Sequence, residues 1–304
     1  MATAQDDRKG TAPARIMIKL WRKLMLPIIE AVDAKVFLEI GAEFGTSTNA
    51  LLNHVIQQGG HLHCIDPYPA FDADALQHQH AANLTFYRDL SLNVLDGLPR
   101  FDVALVDGDH NWYTVYHELK AIEKLHGNDP LQQPLIFAHD IGWPYGRRDL
   151  YYAPETIPAE YRQAYARQGM LPNKPGLVAE GGMNRELCNA LQEGGARNGV
   201  LTGVEDYIAD STLAFHFVKL PLFYGLGILV TKERLQSSER LRDAFAAIAL
   251  DPGAEELLRL NEHLRCVDGI YLQAVSRQLQ SAQERIAELE KQLAGRAGGC
   301  SSES

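Results

Sequence analysis

The sequence is poor in cysteine and has no long apolar run. Its four cysteines among 304 residues are Cys64, Cys188, Cys266 and Cys300. They are dispersed and lack the paired spacing of zinc sites and disulfide frameworks, so we expect reduced thiols. No run approaches the ~18 apolar residues of a transmembrane helix, and the segment from Met1 to Pro13 lacks the apolar region of a signal peptide. The sequence therefore predicts a cytoplasmic protein.

Basic residues are also scarce. Lys and Arg number 29 against 39 Asp and Glu, which gives a net charge of −10, and no basic cluster is interleaved with aromatic residues. This balance argues against nucleic acid or an anionic membrane as the main partner and favours a small molecule. The apolar fraction of 46% is enough for a packed core, and 304 residues predict one α/β domain with an appendage.

Short apolar runs alternate with helix-forming segments. The predicted strands cover residues 36–40, 61–65, 83–87, 101–106, 134–138, 212–218 and 226–231, and the clearest helices cover 46–57 and 112–125. This alternation predicts a doubly wound α/β sheet with helices on both faces, closed by an antiparallel pair. Residues 143–210 are rich in Gly, Pro, Tyr and Arg and lack a clear period, which is typical of an inserted substrate-binding lid.

Further segments flank this domain. We expect a disordered tail over residues 1–15, the domain over 16–233, a helical extension over 234–295 and a second tail over 296–304. In the extension, apolar residues recur in steps of three and four at Leu272, Val275, Leu279, Ala282, Ile286, Leu289 and Leu293. With its polar flanks, this seam predicts a coiled coil at about residues 268–294 that joins copies into a homo-oligomer. A helix packed on its own domain is the alternative.

The segment from Val36 to Thr46 carries the clearest chemical signal. Apolar residues lead into Glu39, and Gly41 and Gly45 then form a turn at which a ligand can approach the backbone. A phosphate-binding loop avoids an acid here because the helix N-terminus attracts an anion, so Glu39 suits a cationic or amine-bearing ligand. This E-x-G-x-x-x-G pattern resembles the first motif of class I S-adenosylmethionine (SAM) methyltransferases, in which the acid and the glycine loop hold the methionine end. The loop lacks the G-x-G-x-x-G turn of nicotinamide and flavin enzymes.

Acidic residues also follow the other predicted strands. Asp66 follows the second strand, where a carboxylate can accept the ribose hydroxyls of SAM, although an Asp before Pro67 also favours a plain turn. Asp89 follows the third strand, where the adenine would lie, and helix capping is its alternative role. Asp107 follows the fourth strand, and we include it with Glu39 in the predicted SAM site.

The fourth and fifth strands are adjacent in this kind of sheet, so their exits converge. Asp107, His139 and Asp140 stand there and form a predicted site for a divalent ion such as Mg²⁺. His139 is a ligand that favours a softer ion, or a base for the acceptor, and His110 is a second candidate base. The alternative is that Asp107 and Asp109 only shape a turn and cap the following helix.

Three motifs narrow the resemblance: Leu38–Gly41, Val106–His110 and Ala138–Ile141. Together they resemble the branch of SAM methyltransferases that includes macrocin O-methyltransferase and cephalosporin hydroxylase-like proteins. The resemblance implies the seven-stranded Rossmann-like sheet of class I methyltransferases. It also implies Mg²⁺ held by the acids Asp107 and Asp140, whereas metal-dependent relatives often have an acid at the position of His139.

Aromatic residues and arginines follow the predicted metal site at Trp143, Tyr145, Arg147, Arg148, Tyr151 and Tyr152. Such side chains bind sugars and planar rings, so we expect them to contact the acceptor. The alternative is a structural lid whose arginines pair with Asp149 or Glu155. Because relatives often methylate deoxysugars of secondary metabolites, the resemblance implies a sugar hydroxyl as acceptor.

The combined prediction is a SAM-dependent O-methyltransferase. An acceptor oxygen would attack the sulfonium methyl group in line, and the protein would align the reactants and remove the acceptor proton. Two alternatives stay open: a metal-independent transfer to nitrogen or a carboxylate, and a non-catalytic partner protein that has kept the fold.

Overall fold

The computed structural model describes the backbone of residues 21–299 and the side chains up to Gln292. The tail predicted over residues 1–15, the next residues 16–20 and residues 300–304 lie outside the described residues. From Trp21 to Met25 the chain forms a π-helical turn, and a short helix follows at Leu26–Glu30.

The described chain contains ten strands. They are β1 (Val36–Ile40), β2 (His61–Ile65), β3 (Leu84–Tyr87), β4 (Val103–Val106), β5 (Leu135–His139), β6 (Leu150–Tyr151), β7 (Tyr165–Arg167), β8 (Cys188–Ala190), β9 (Phe215–Leu220) and β10 (Leu226–Thr231). Seven of them form one sheet in the order β3-β2-β1-β4-β5-β10-β9. The first five strands are parallel, and β10 is antiparallel to both of its neighbours. The predicted seven-stranded fold class is confirmed.

Nine α-helices accompany the strands within residues 21–299. They are α1 (Leu26–Glu30), α2 (Thr46–Gln58), α3 (Ala73–Gln79), α4 (Ser91–Val94), α5 (Trp112–His126), α6 (Val200–Asp210), α7 (Lys232–Ser237), α8 (Glu239–Ala247) and α9 (Pro252–Gly299). None of them combines the length and the apolar character needed to cross a membrane.

Successive strand residues point to opposite faces of the sheet, and both faces are covered. Phe37 belongs to a core shared with α1, α2 and α8, whereas Leu38 belongs to a second core shared with α5 and α6. Leu241 and Phe245 of α8 are buried in the first core, so the chain packs with the main domain as far as Ala247.

The segment over residues 143–210 is more ordered than its composition predicts. Strands β6, β8 and β7 form a small antiparallel sheet, and α6 begins after Gly199, where the prediction has no helix. The sheet escapes a period-based prediction because its strands are only two or three residues long. At the other end of the chain, α9 runs through residues 296–299, where the sequence predicts a tail.

Candidate active site

The chain reverses its direction across the sheet between β1 and β4, which is where open parallel sheets bind ligands. Gly41 turns the chain after β1 with a φ of 89°, and a Cβ there would lie 2.1 Å from the carbonyl oxygen of Asp107. Gly45 has a φ of 73° and immediately precedes α2. Both positions therefore require glycine for backbone reasons, whatever the loop binds.

Asp66 holds this glycine loop in place. Its Oδ2 accepts hydrogen bonds from the backbone N–H groups of Ala42 (2.8 Å) and Glu43 (2.9 Å), and its Oδ1 accepts one from Tyr68 (2.7 Å). The carboxylate thus fixes the loop that follows β1 to the loop that follows β2. A role toward ribose hydroxyls stays a prediction beside this structural role.

Glu39 is fully buried at the end of β1 and lines a cleft together with Gly41, Asp107 and His139. Its Oε2 accepts a hydrogen bond from the Cys64 thiol at 3.1 Å, whereas Oε1 has no hydrogen-bond partner among residues 21–292. Burial raises the pKa of Glu39 to about 7, against the opposing effect of the nearby Ser47, Thr48 and Cys64 side chains. A buried carboxylate with an unused oxygen in a cleft is suited to an amine.

Four side chains converge at the exits of β4 and β5, and we call Asp107, His110, His139 and Asp140 the His–Asp cluster. His110 Nε2 lies 2.9 Å from Asp140 Oδ2 and 3.5 Å from Asp107 Oδ1. His139 Nδ1 lies 3.2 Å from Asp107 Oδ1 and 3.5 Å from Asp140 Oδ2. Each histidine therefore contacts both carboxylates.

Mutual charge dominates the protonation of the His–Asp cluster. Burial lowers the pKa of His110, but Asp140 and Asp107 outweigh it and raise that pKa to about 10. The same two acids raise the pKa of His139 well above its usual value, again against burial. Burial raises the pKa of each carboxyl, yet the histidines hold both pKa values below the usual range. Within the described chain, the cluster thus consists of two carboxylates paired with two imidazolium groups.

The cluster also contains a set of donors for a cation. The ligand atoms of Asp107, His139 and Asp140 lie within 4.8 Å of one another. His110 contacts the same carboxylates but is not one of these three. The ring nitrogen His139 Nε2 is buried and has no hydrogen-bond partner in the described part of the chain.

Aromatic residues surround His110. The ring of Tyr145 stacks on it with centroids 5.5 Å apart, and the hydroxyl of Tyr152 lies 3.1 Å from His110 Nδ1. Trp143 is partly buried, and its Nε1 is buried without a hydrogen-bond partner in the described chain. Of the predicted acceptor-binding residues, Tyr145 and Tyr152 therefore contact the His–Asp cluster.

Two predicted acceptor ligands belong to the framework of the lid instead. Arg148 is fully buried, and its terminal nitrogens donate to the carbonyl groups of Ala190 and Pro175. Tyr151 is also buried, and its hydroxyl donates to Asp149 and accepts from the backbone N–H of Gln163. The terminal nitrogens of Arg148 and the hydroxyl of Tyr151 are thus engaged within the lid, and contact of these two residues with the acceptor stays a prediction.

Arg147 is half-exposed and pairs with α6. It donates to Glu205 (2.6 Å) and to the Thr202 hydroxyl (3.0 Å), not to Asp149 or Glu155 as the structural alternative supposed. Asp149 accepts instead from the backbone N–H groups of Trp112 (2.7 Å) and Gly199 (2.6 Å). It therefore ties the lid to the start of α5.

The remaining predicted acids have local partners. The exposed carboxylate of Asp89 accepts from the backbone N–H of Leu90 (2.7 Å) and from Asn93 Nδ2 (2.8 Å), but it does not cap α4. Asn111 caps α5, and Asp109 accepts a hydrogen bond from the Thr114 hydroxyl. Asp107 makes no such capping bond and is the acid that joins the cluster.

Two further buried acid contacts were not predicted. Cys64 donates to Glu39, and the Ser91 hydroxyl donates to Glu118, whose pKa burial raises to about 8. Glu118 follows Tyr116 and His117 in α5, and its sequence neighbourhood is that of an ordinary solvent-facing acid. Only the tertiary packing of α5 on α4 reveals it.

Residues 38–131 match a family model described as a methyltransferase domain. The matched segment contains Glu39, the glycine loop, Asp66 and Asp107. Over these residues the chain is therefore similar to methyltransferase domains. No curated protein has significant sequence similarity to the chain.

Several solved structures resemble the domain. The SAH-bound methyltransferase PaMTH1 of Podospora anserina has 15% identity and a TM-score of 0.39, over 68% of this chain and 76% of that one. A putative caffeoyl-CoA O-methyltransferase of Staphylococcus aureus has 12% identity and a TM-score of 0.38, over 73% of this chain and 93% of that one. A putative O-methyltransferase of Nostoc punctiforme has 13% identity and a TM-score of 0.41, over 72% of this chain and 60% of that one. Sequence identity to all three is low, so the chemistry of the site has to be inferred from its own geometry.

Proposed function

We propose that the protein transfers the methyl group of SAM to a hydroxyl oxygen of a small molecule, with a sugar of a secondary metabolite as first choice and a divalent metal ion assisting. One observation carries the proposal. Glu39, a buried acid with an unused oxygen, lines one cleft with Asp107 and His139 of the His–Asp cluster at the switch point of the sheet. A methyl donor that carries a charged amine would thus lie beside the hydroxyl that accepts the methyl group.

The cleft residues fit the methionine end of SAM. Oε1 of Glu39 lacks a partner among the described residues, and an ammonium group there would supply one. Gly41 and Gly45 keep the loop close to this acid, while Asp66 and Asp89 are the proposed contacts for the ribose and the adenine. SAM, when bound, supplies an electrophilic methyl group. The role of the protein is to align that group with the acceptor oxygen.

The donor set of Asp107, His139 and Asp140 fits one divalent ion. Two carboxylates and one imidazole suit Mg²⁺ less well than an all-oxygen set and also accommodate Mn²⁺ or Zn²⁺. A bound ion would lower the pKa of a nearby acceptor hydroxyl.

Between the two histidines, the geometry favours His139 for contact with the acceptor. His110 Nδ1 lies 3.1 Å from the Tyr152 hydroxyl, and its Nε2 forms an ion pair with Asp140 at 2.9 Å. His139 lines the cleft, and its Nε2 is free of hydrogen bonds within the described chain. We therefore assign His139, after loss of its proton, as metal ligand or proton acceptor, and His110 as the group that orients Asp140.

Calorimetric titration with S-adenosylhomocysteine, after removal of co-purified ligand, tests the cofactor site. We expect binding by the wild-type protein, at least tenfold weaker binding by Glu39→Gln, and unchanged binding by Glu118→Gln. Glu118 is a matched control because it too is a fully buried acid with a raised pKa. Absence of binding by the folded wild-type protein would favour the non-catalytic alternative.

Transfer of a labelled methyl group to a panel of glycosides, phenols, amines and carboxylic acids tests the acceptor class. We expect product with hydroxyl acceptors, and we expect EDTA to abolish it and a divalent ion to restore it. Transfer to an amine or a carboxylate that is insensitive to EDTA would replace the proposal with the metal-independent alternative.

A further inference from the structure

Helix α9 packs on its own domain through one face. The Glu262 carboxylate accepts from the backbone N–H groups of Phe223 (3.0 Å) and Tyr224 (2.7 Å), and the Arg265 guanidinium lies 4.1 Å from the centre of the Tyr224 ring. Cys266, one turn after Glu262, is only 2% exposed. This face is therefore occupied by the domain.

A further contact of α9, made by Gln273, leads toward the active site. Gln273 bonds to Asn184 through both its Nε2 and its Oε1, at 3.2 and 3.3 Å. Asn184 in turn donates to the hydroxyl of Tyr145, which stacks on His110. Helix α9 thus supports the wall of the His–Asp cluster.

A different face of α9 is apolar and exposed. It carries ten of the eighteen exposed large hydrophobic residues of the described chain, each 41–69% exposed: Leu257, Leu260, Leu264, Val267, Tyr271, Leu272, Val275, Leu279, Ile286 and Leu289. At about 100° per residue these ten positions fall within roughly 140° of the helix circumference, centred about 150° from the packed face. We call these ten residues the α9 stripe. The stripe is about 48 Å long at 1.5 Å per residue. Single exposed apolar residues are common on protein surfaces, but a continuous apolar stripe of this length marks an interaction surface.

The spacing of the stripe is that of a coiled coil. From Leu272 onward the steps of three and four place Leu272, Leu279 and Ile286 at a positions and Val275, Ala282 and Leu289 at d positions. From Leu264 to Val275 the steps are three, four and four, an eleven-residue interval that keeps the stripe on one face of a nearly straight helix. A regular partner helix can therefore follow the whole stripe.

We propose that the α9 stripe is covered by the α9 stripe of a second copy of this chain, in a parallel two-stranded coiled coil. This inference is independent of the proposed methyl transfer. A second copy is the partner that presents the same spacing over the same length, and self-association is the usual fate of such a helix. The packed face stays toward each copy's own domain, so both domains lie on the outside of the pair.

The flanking charges select the parallel orientation. The e positions are Ser276, Gln283 and Glu290, and the g positions are Gln278, Arg285 and Gln292. In a parallel pair, a g residue meets the e residue five positions later in the other chain. Arg285 of each chain therefore meets Glu290 of the partner subunit, which gives two such pairs per dimer. In an antiparallel pair g meets g and e meets e, which brings only like charges or neutral residues together. Arg285 now pairs with Glu288 on the surface, and that weak contact is easily exchanged.

Sedimentation equilibrium of the full chain tests the surface. We expect twice the 33.8 kDa of one chain for the wild type and 33.8 kDa for Leu279→Glu/Ile286→Glu. Gln280→Glu/Ala287→Glu is the matched control, because it adds the same charges to exposed b positions of the same turns, and it should stay dimeric. Circular dichroism and S-adenosylhomocysteine titration confirm that each variant keeps its fold and ligand site.

Two outcomes would overturn the proposal. A wild-type monomer at all accessible concentrations means that something else covers the stripe, such as residues 1–20 or another protein. A dimer that survives Leu279→Glu/Ile286→Glu means that the copies meet elsewhere.

Charge reversal tests the orientation. We expect Arg285→Glu to weaken dimerisation about tenfold, since attraction to Glu290 becomes repulsion, and Arg285→Glu/Glu290→Arg to restore it. In an antiparallel pair, Arg285→Glu exchanges one like-charge contact for another and changes little. An unchanged dissociation constant for Arg285→Glu would therefore refute the parallel arrangement.

Discussion

The ring of Tyr145 lies parallel to that of His110, with an interplanar angle of 2° and a centroid distance of 5.5 Å. Tyr145 is 4% exposed, and its hydroxyl accepts from Asn184 and donates to Asn189. A tyrosine of the lid is thus fixed by lid residues on one side and supports a histidine of the cluster on the other. The lid contributes to the orientation of the cluster and not only to its cover.

Tyr145 allows these two contributions to be separated. Tyr145→Phe keeps the ring but leaves buried amide groups unpaired, so we expect the free energy of unfolding to fall by about 1–3 kcal/mol with methyl transfer changed less than about threefold. Tyr145→Leu removes the stacking surface, and transfer should fall at least about tenfold. Urea unfolding and steady-state rates measure the two effects. Equal transfer rates for the two variants would show that the stacking is dispensable.

Asp149 should be one of the most sensitive positions for stability. Its carboxylate accepts from Trp112, Gly199 and Tyr151, and it is fully buried. Asp149→Ala leaves three donors without a partner, so we expect a loss of about 3 kcal/mol or more. Asp74→Ala removes an exposed acid from its pair with Arg88 and should cost less than about 1 kcal/mol. Similar losses for both variants would contradict the role of Asp149 as the tie between lid and α5.

Glu118 should make stability depend on pH. Burial raises its pKa from the usual 4.5 to about 8, so its contribution is fully present below pH 4.5 and is lost as the pH rises toward 8. In Glu118→Gln this dependence disappears. Between about pH 5 and pH 8, the wild type should therefore lose on the order of 3 kcal/mol more than the variant. Parallel stability curves would indicate that Glu118 ionises normally in the folded protein.

Direct metal titration tests the donor set without any acceptor. We expect one Mn²⁺ or Mg²⁺ per chain by calorimetry, with the affinity of Asp140→Asn reduced at least about tenfold. Asp109→Asn is the matched control, because Asp109 lies close in sequence to His110 but bonds to Asn111 and Thr114. Binding that Asp140→Asn does not weaken would place the ion at another site.

Much of the sheet is encoded locally. Runs such as Val36–Ile40 and His61–Ile65 are buried strands with an acid at or after the end, and both the strand bounds and the converging exits of β4 and β5 follow from that pattern. Asp107, His139 and Asp140 could therefore be grouped from the sequence alone. Their proximity is a consequence of strand order, which the fold class dictates.

Side-chain roles in the lid were not predictable in the same way. Arg148 bonds to Pro175 and Ala190, which lie 27 and 42 residues away, and no local pattern announces such partners. A buried arginine that binds carbonyl groups has the same sequence appearance as one that binds a substrate. The Tyr145–His110 contact is hidden for the same reason, since it depends on how the lid folds back over α5.

The three hydrogen bonds of Asp66 have a thermodynamic consequence for any ligand of the glycine loop. Ala42, Glu43 and Tyr68 are already held in place by this carboxylate. A segment that is immobilised when the protein folds does not lose its conformational freedom again when a ligand arrives. The entropic cost of ordering this loop is therefore incurred during folding, and a ligand binds to a loop that already has its final conformation.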